Sequence, residues 1–252
     1  MKDILELMNT DNFKYIISID CEGTNFDKNL ENNVLNLERF LKLNSDNGIT
    51  TILFITPFFA DMLHKLNLTE KIKEYNVIFG LHIHPENLPE ELNLKCSFLK
   101  PEEHLLASYN FDEQKIIIKH SMDYLKEKGI EPIQIYRGGY FSMNNDTAKA
   151  LWELTDIRFE SHNIYREQYS VNNGLLTSLP VYAKDEKEEL RLEYFSSDKL
   201  IELLNEAKEK DRYAIGVTHS YLLDPLDFHY ERDGLKEDIH QIQSKLIQEE
   251  SV

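Results

Sequence analysis

Short apolar runs of strand length alternate with amphipathic stretches of helix length along most of this chain, a pattern that points to a largely parallel α/β sheet. The first run, Tyr15-Ile16-Ile17-Ser18-Ile19-Asp20, is rich in β-branched residues and ends in a polar cluster, which predicts a strand. Val34, Leu35, Leu37, Phe40 and Leu41 then recur at helical spacing between Asn33 and Leu43, and Asp46-Asn47-Gly48 supplies turn chemistry to end a helix. Further strands are expected at 50–55, 75–81, 133–136, 157–160, 179–182 and 213–218. Further helices are expected from Ala60 and over 112–128, 144–154, 198–208 and 236–249. Repeated βα units of this length predict a closed or nearly closed parallel barrel, with functional side chains at the carboxyl ends of the strands. A doubly wound open sheet is the competing architecture.

The length of 252 residues suits one domain covering 1–252, and a hydrophobic content of 41% supplies a full core without a disulfide or a structural metal. Any metal site is therefore expected to serve function. A net charge of -17 repels phosphate backbones and anionic lipid headgroups, so neither nucleic acid nor a membrane is an expected partner. Cys21 and Cys96 are far apart and form no C-x-x-C pair, which favours reduced thiols. Acidic residues interrupt the first nine positions where a secretory signal needs an apolar stretch, so a cytoplasmic protein is expected. The oligomeric state is left open.

Four motifs carry chemistry, and each sits at an expected strand end. Asp20 and Glu22, at i and i+2, point to the same side of extended backbone; in isolation such a pair more often caps the next turn. His82 and His84 alternate in the same way in Gly80-Leu81-His82-Ile83-His84-Pro85. Two imidazoles and one carboxylate form a common set for a catalytic metal that keeps positions open for water and substrate. Arg137, in Tyr136-Arg137-Gly138-Gly139-Tyr140, is a permanent cation able to orient a carboxylate, and the two glycines allow backbone to approach a ligand. His219 ends Ile215-Gly216-Val217-Thr218-His219 and is the candidate general acid. His162, in Glu160-Ser161-His162-Asn163, is a further candidate for the same rim, whereas His64, His104, His120, His229 and His240 have no comparable setting.

In this order the motifs resemble the polysaccharide deacetylase family, also called the NodB homology domain or carbohydrate esterase family four, from about Lys14 to Ser220. Thr51-Ile52-Leu53-Phe54-Ile55-Thr56-Pro57 is similar to the family's apolar, aromatic strand followed by a small polar turn. The resemblance implies a distorted (β/α) barrel and a metal-dependent hydrolase that removes N-acetyl groups from a sugar or small glycan. It implies one divalent metal ion on Glu22, His82 and His84, zinc ahead of cobalt, nickel, manganese or iron. Asp20 would be the base, Arg137 would orient it, the Tyr140 backbone N–H would help bind an oxyanion, and His219 would protonate the leaving amine. Two features depart from the family pattern. Cys21 separates Asp20 from a Glu where an adjacent Asp pair is commoner, and His82 and His84 are one residue apart where the family's histidines usually lie four apart.

Two other functions are compatible with the same residues: hydrolysis of another C–N bond, as in a cyclic ureide or imide, and non-catalytic carbohydrate binding or assembly. Trp152 and the tyrosines offer stacking surfaces, though none is assigned to substrate. The polar segment from Glu86 to His104 is read as a lid or a partner surface.

Overall fold

A computed structural model of the chain describes residues 2–9, 12–23, 29–171, 173–224 and 237–250. Its strands are β1 (Lys14–Cys21), β2 (Thr50–Ile55), β3 (Val77–Ile83), β4 (Ile133–Gly138), β5 (Met143–Asn144), β6 (Phe159–Glu160), β7 (Tyr169–Ser170), β8 (Thr177–Ser178) and β9 (Tyr213–His219). Seven of them form a curled parallel sheet in the order β8-β6-β4-β3-β2-β1-β9, while β5 and β7 pair separately. The order and curl give the expected distorted (β/α) barrel and exclude the open doubly wound sheet.

Period-two alternation decides which side chains meet inside the barrel. Ile16, Ile52, Phe54, Ile78, Ile135, Leu179 and Ile215 form an inner apolar cluster, with Ile4, Leu7 and Met8 of the short helix Ile4–Met8 packed against it. That helix is tied to the starts of β3 and β4, because the Lys2 N–H donates to the Val77 carbonyl (3.0 Å) and the Ile4 N–H to Gln134 Oε1 (2.9 Å). The opposite parity, including Ile17, Leu53, Phe79 and Tyr136, packs beneath the surrounding helices in the main core. Stepping two residues at a time along the inner face leads from Ile16 through Ser18 to Asp20, and from Ile78 through Gly80 to His82. From Ile135 it reaches Arg137, and from Ile215 it passes Val217 to His219. Registers then align Asp20 with His219 across β1 and β9, and His82 with Arg137 across β3 and β4. The inner face is thus apolar at one end and chemically active at the other.

Several expected boundaries change for identifiable reasons. The helix expected from Ala60 spans Pro57–Lys65, because Thr56 Oγ1 accepts the Phe59 N–H (3.3 Å) and Pro57 fits the first helical position. The strand expected at 157–160 shortens to β6, and 179–182 is not a ladder strand, since Pro180 has no N–H to give. Its backbone still bonds to both sides, with Leu179 N–H to the Glu160 carbonyl (2.8 Å) and Tyr182 N–H to the Ile215 carbonyl (2.9 Å). Residues 190–192 add bonds to Val217 of β9, so an irregular seam closes the gap between β8 and β9. The segment 86–104 is not a free lid: Leu88, Leu92 and Cys96 are buried in the main core, and Asn87 donates to the Gly23 carbonyl (3.0 Å). The last helix runs Ile239–Glu250; Lys236, its expected start, and His229 lie outside the described residues. No helix among the described residues is long and apolar enough to cross a membrane.

Candidate metal and catalytic site

Glu22, His82 and His84 converge where β1 and β3 end, their donor atoms all within 4.8 Å of one another. Glu22 Oε1 lies 3.2 Å from His84 Nε2 and 3.7 Å from His82 Nε2. A four-coordinate ion with bonds of about 2.0–2.2 Å holds its donors roughly 3.3 Å apart, so the spacing matches. His82 supplies the more telling observation. Its Nδ1 sits 2.8 Å from the Arg137 carbonyl, which can only accept, so Nδ1 bears a proton and the neutral ring presents its lone pair at Nε2. That Nε2 is buried and has no hydrogen-bond partner among the described residues. A buried acceptor aimed at a carboxylate is satisfied by a cation between them. His84 is held from its other side by Glu86 Oε1, 3.2 Å from Nδ1. Burial opposes charge on His84, but Glu22 and Glu86 outweigh it and raise its pKa to about 10. The surroundings therefore favour positive charge, and the three residues fit a divalent ion.

The one-residue histidine spacing, a departure from the family pattern, follows from local structure. Both imidazoles lie on the same side of extended backbone, where i and i+2 side chains stand together, and their ring centroids are 4.9 Å apart.

Beside the trio, Arg137 binds Asp20 through Nη1–Oδ1 at 2.7 Å. The guanidinium is fully buried and makes two further bonds: Nε to the Ser161 carbonyl (2.7 Å) and Nη2 to Ser161 Oγ (2.9 Å). Its plane lies over the Phe54 ring, 4.0 Å from the centroid. Gly80 makes this possible, because a Cβ there would lie 2.5 Å from Phe54 Cδ1. Burial raises the Asp20 pKa, but the Arg137 guanidinium and His219 bring it below the ordinary value, so the carboxylate is ionised.

His219 faces the same carboxylates, its Nε2 at 4.0 Å from Asp20 Oδ2 and 3.9 Å from Glu22 Oε1. Glu193 Oε1 lies 2.8 Å from His219 Nδ1 and also accepts from Arg191 Nη1 (3.1 Å). Burial lowers the His219 pKa, Glu193 raises it, and the net shift is upward. The sequence reading missed Ser161 and Glu193. Glu193 had a visible signal, since Glu189-Leu190-Arg191-Leu192-Glu193 alternates charged and apolar residues with strand periodicity.

The turn after Arg137 differs from its expected use. Gly138 and Gly139 do not serve approach by a ligand: a Cβ on Gly138 would meet the Ser142 carbonyl oxygen at 2.0 Å, and one on Gly139 the His84 ring at 2.7 Å. The strain falls on the next two residues, Tyr140 (φ 55°) and Phe141 (φ 57°). Tyr140 lines one cavity of about 330 Å³ with Asp20, Glu22, His84 and His219. His82 and Arg137 are buried behind its wall.

His162 lies outside the cavity lining and supports the turn instead. Its Nε2 accepts the Gly138 N–H (2.9 Å), and its Nδ1 donates to Glu160 Oε2 (2.6 Å), which fixes the neutral form. Burial lowers its pKa below 6.5 against the pull of Glu160; the other charged or titratable groups around it are Tyr136, Arg137, Tyr169 and His82. A histidine whose folded pKa is depressed stabilises fully above its unfolded pKa, and that contribution is lost as pH falls through the folded pKa. The stability gap between wild type and His162→Gln, measured by urea unfolding, is expected to narrow from pH 7 to pH 5. A gap independent of pH would contradict the neutral assignment.

No family model matches the sequence, and no curated protein is similar to it at significant level. Solved structures do share the fold. A family 4 carbohydrate esterase from Streptomyces lividans, in complex with acetate, is 9% identical, with 96% of this chain and 88% of that one covered and a TM-score of 0.53. A Mycobacterium smegmatis protein assigned to the polysaccharide deacetylases is 14% identical, with 94% and 85% covered and a TM-score of 0.61. A 4-alpha-glucanotransferase from Thermococcus litoralis is 13% identical, covering 94% of this chain but 38% of its own, with a TM-score of 0.60. The chain has the fold of the family 4 carbohydrate esterases, and the glucanotransferase shows that this fold hosts more than one chemistry.

Proposed function

We propose that this protein is a metal-dependent hydrolase that removes N-acetyl groups from a sugar or small glycan. The observation that carries the reading is the meeting, at one cavity and in the wall behind it, of an ionised Asp20 held by Arg137 with the Glu22, His82 and His84 trio, and of His219 facing both carboxylates. Glu22, His82 and His84 would hold one divalent ion, zinc in the first place, which when bound would polarise the acyl carbonyl and acidify a water molecule.

The chain's own residues divide the proton work. Arg137 occupies Asp20 Oδ1, which leaves Oδ2 to take the proton of the attacking water. Attack forms the new C–O bond, and the Tyr140 backbone N–H in the strained turn is assigned to the developing oxyanion. Glu193 fixes His219 through Nδ1 and so presents Nε2 to the substrate. His219 passes its proton to the amine nitrogen as the C–N bond breaks, releasing acetate and a free amino sugar. Acetate bound to the Streptomyces lividans esterase, which has the same fold, supports this product.

Incubating zinc-loaded protein with N-acetylated mono- and disaccharides is expected to release acetate and free amine in equal amounts. Absence of both products across the panel would contradict the reading.

A further inference from the structure

The lining of the same cavity holds two arginines to which the hydrolytic scheme gives no contact with substrate. Arg191 and Arg166 both line it, together with Gln168, Tyr194 and Tyr221. Arg191 donates Nε to Glu189 (2.6 Å) and Nη1 to Glu193 (3.1 Å), and its guanidinium lies over the Tyr194 ring at 4.9 Å. Arg166 donates Nη2 to Glu189 (2.9 Å), while its Nε has no hydrogen-bond partner among the described residues.

The layering of these charges decides what the cavity sees. The Glu189 side chain is 0% exposed and that of Glu193 is 4%, whereas Arg191 is at 8% and Arg166 at 29%. Neither glutamate lines the cavity, but both arginines do. The carboxylates lie behind and orient the guanidiniums, which turn a cationic face toward bound material. A chain with a net charge of -17 has no general surplus of arginine to place there. Planar guanidiniums with unused donors recognise carboxylate and phosphate oxygens in two-pronged fashion.

We propose that the substrate is an anionic N-acyl sugar, bearing a carboxylate or phosphate on or next to the ring that carries the acyl group, and that Arg166, supported by Arg191, reads this anion. The identity of the sugar rests on the hydrolase reading above; the anion preference rests on the arginines alone. Arg166 is the residue to vary, because Arg191 also anchors the Glu193 that holds His219.

The test is calorimetric binding of three probes to the zinc-loaded protein: N-acetylglucosamine, its 6-phosphate, and the corresponding N-acetyl amino uronic acid. At least one anionic probe is expected to bind about tenfold or more tightly than the neutral sugar, a difference of about 1.4 kcal/mol. That ratio should collapse toward one in Arg166→Met and be partly kept in Arg166→Lys. The preferred probe identifies carboxylate or phosphate as the group read. Equal affinity for all three, no binding of either anion at millimolar concentration, or a preference that survives Arg166→Met would overturn the proposal. Acetate release measured on the same samples separates the two readings. An anion preference without acetate removes the hydrolase alone, and acetate released equally well from neutral and anionic probes removes the anion site alone.

Discussion

Asp20→Asn is expected to lower kcat by about 10²–10⁴-fold, the range for loss of a positioned general base, while the protein binds metal as before. Asn keeps an oxygen that accepts from Arg137 Nη1, so the 2.7 Å contact has a replacement and the fold should persist. The three residues assigned to the metal do not include Asp20, which is why metal content should not change. The measurement is acetate release at saturating substrate alongside metal analysis of the same preparation. Activity within tenfold of wild type would remove Asp20 as the base.

Arg137→Met should produce the largest loss of stability among the site variants. Methionine fills part of the volume and still packs on Phe54, but the buried Asp20 loses its direct ion-pair partner, and the Ser161 carbonyl and hydroxyl lose their donors. Removing one partner of a buried pair costs about 3–5 kcal/mol, mostly through the charge left behind. The double variant with Asp20→Asn should recover part of that cost, because the uncompensated charge is gone, so the two effects should be strongly non-additive. Urea unfolding of the two single variants and the double reads this coupling. Loss below about 1 kcal/mol in Arg137→Met would mean that the pair is solvated like a surface contact.

Legibility of the site in the sequence followed the regularity of the backbone. Asp20, Glu22, His82, His84, Arg137 and His219 were readable because each continues the inner parity of a regular strand or stands just beyond its end. A parallel barrel brings such ends together whatever their separation in sequence. Residues on the irregular seam were not readable by that route. Ser161 and His162 follow a two-residue strand and Arg166 lies outside every named strand, so no run of alternation announced which way they point, whereas the short alternation over 189–193 that carries Arg191 and Glu193 was passed over. Strand 179–182 was overestimated because its apolar run outweighed Pro180. Gly138 and Gly139 were read for the right property and the wrong neighbour, since close approach is to Ser142 and His84, which only the folded turn reveals.

The measurement that tests the central claim most directly is the divalent metal bound per chain after loading with zinc and removal of excess, compared with a His82→Ala, His84→Ala double variant prepared identically. The account predicts one ion per chain in the wild type and its loss in the variant, with far-ultraviolet circular dichroism showing that both are folded. A wild-type protein that retains no ion, or a folded variant that retains as much as the wild type, would contradict it.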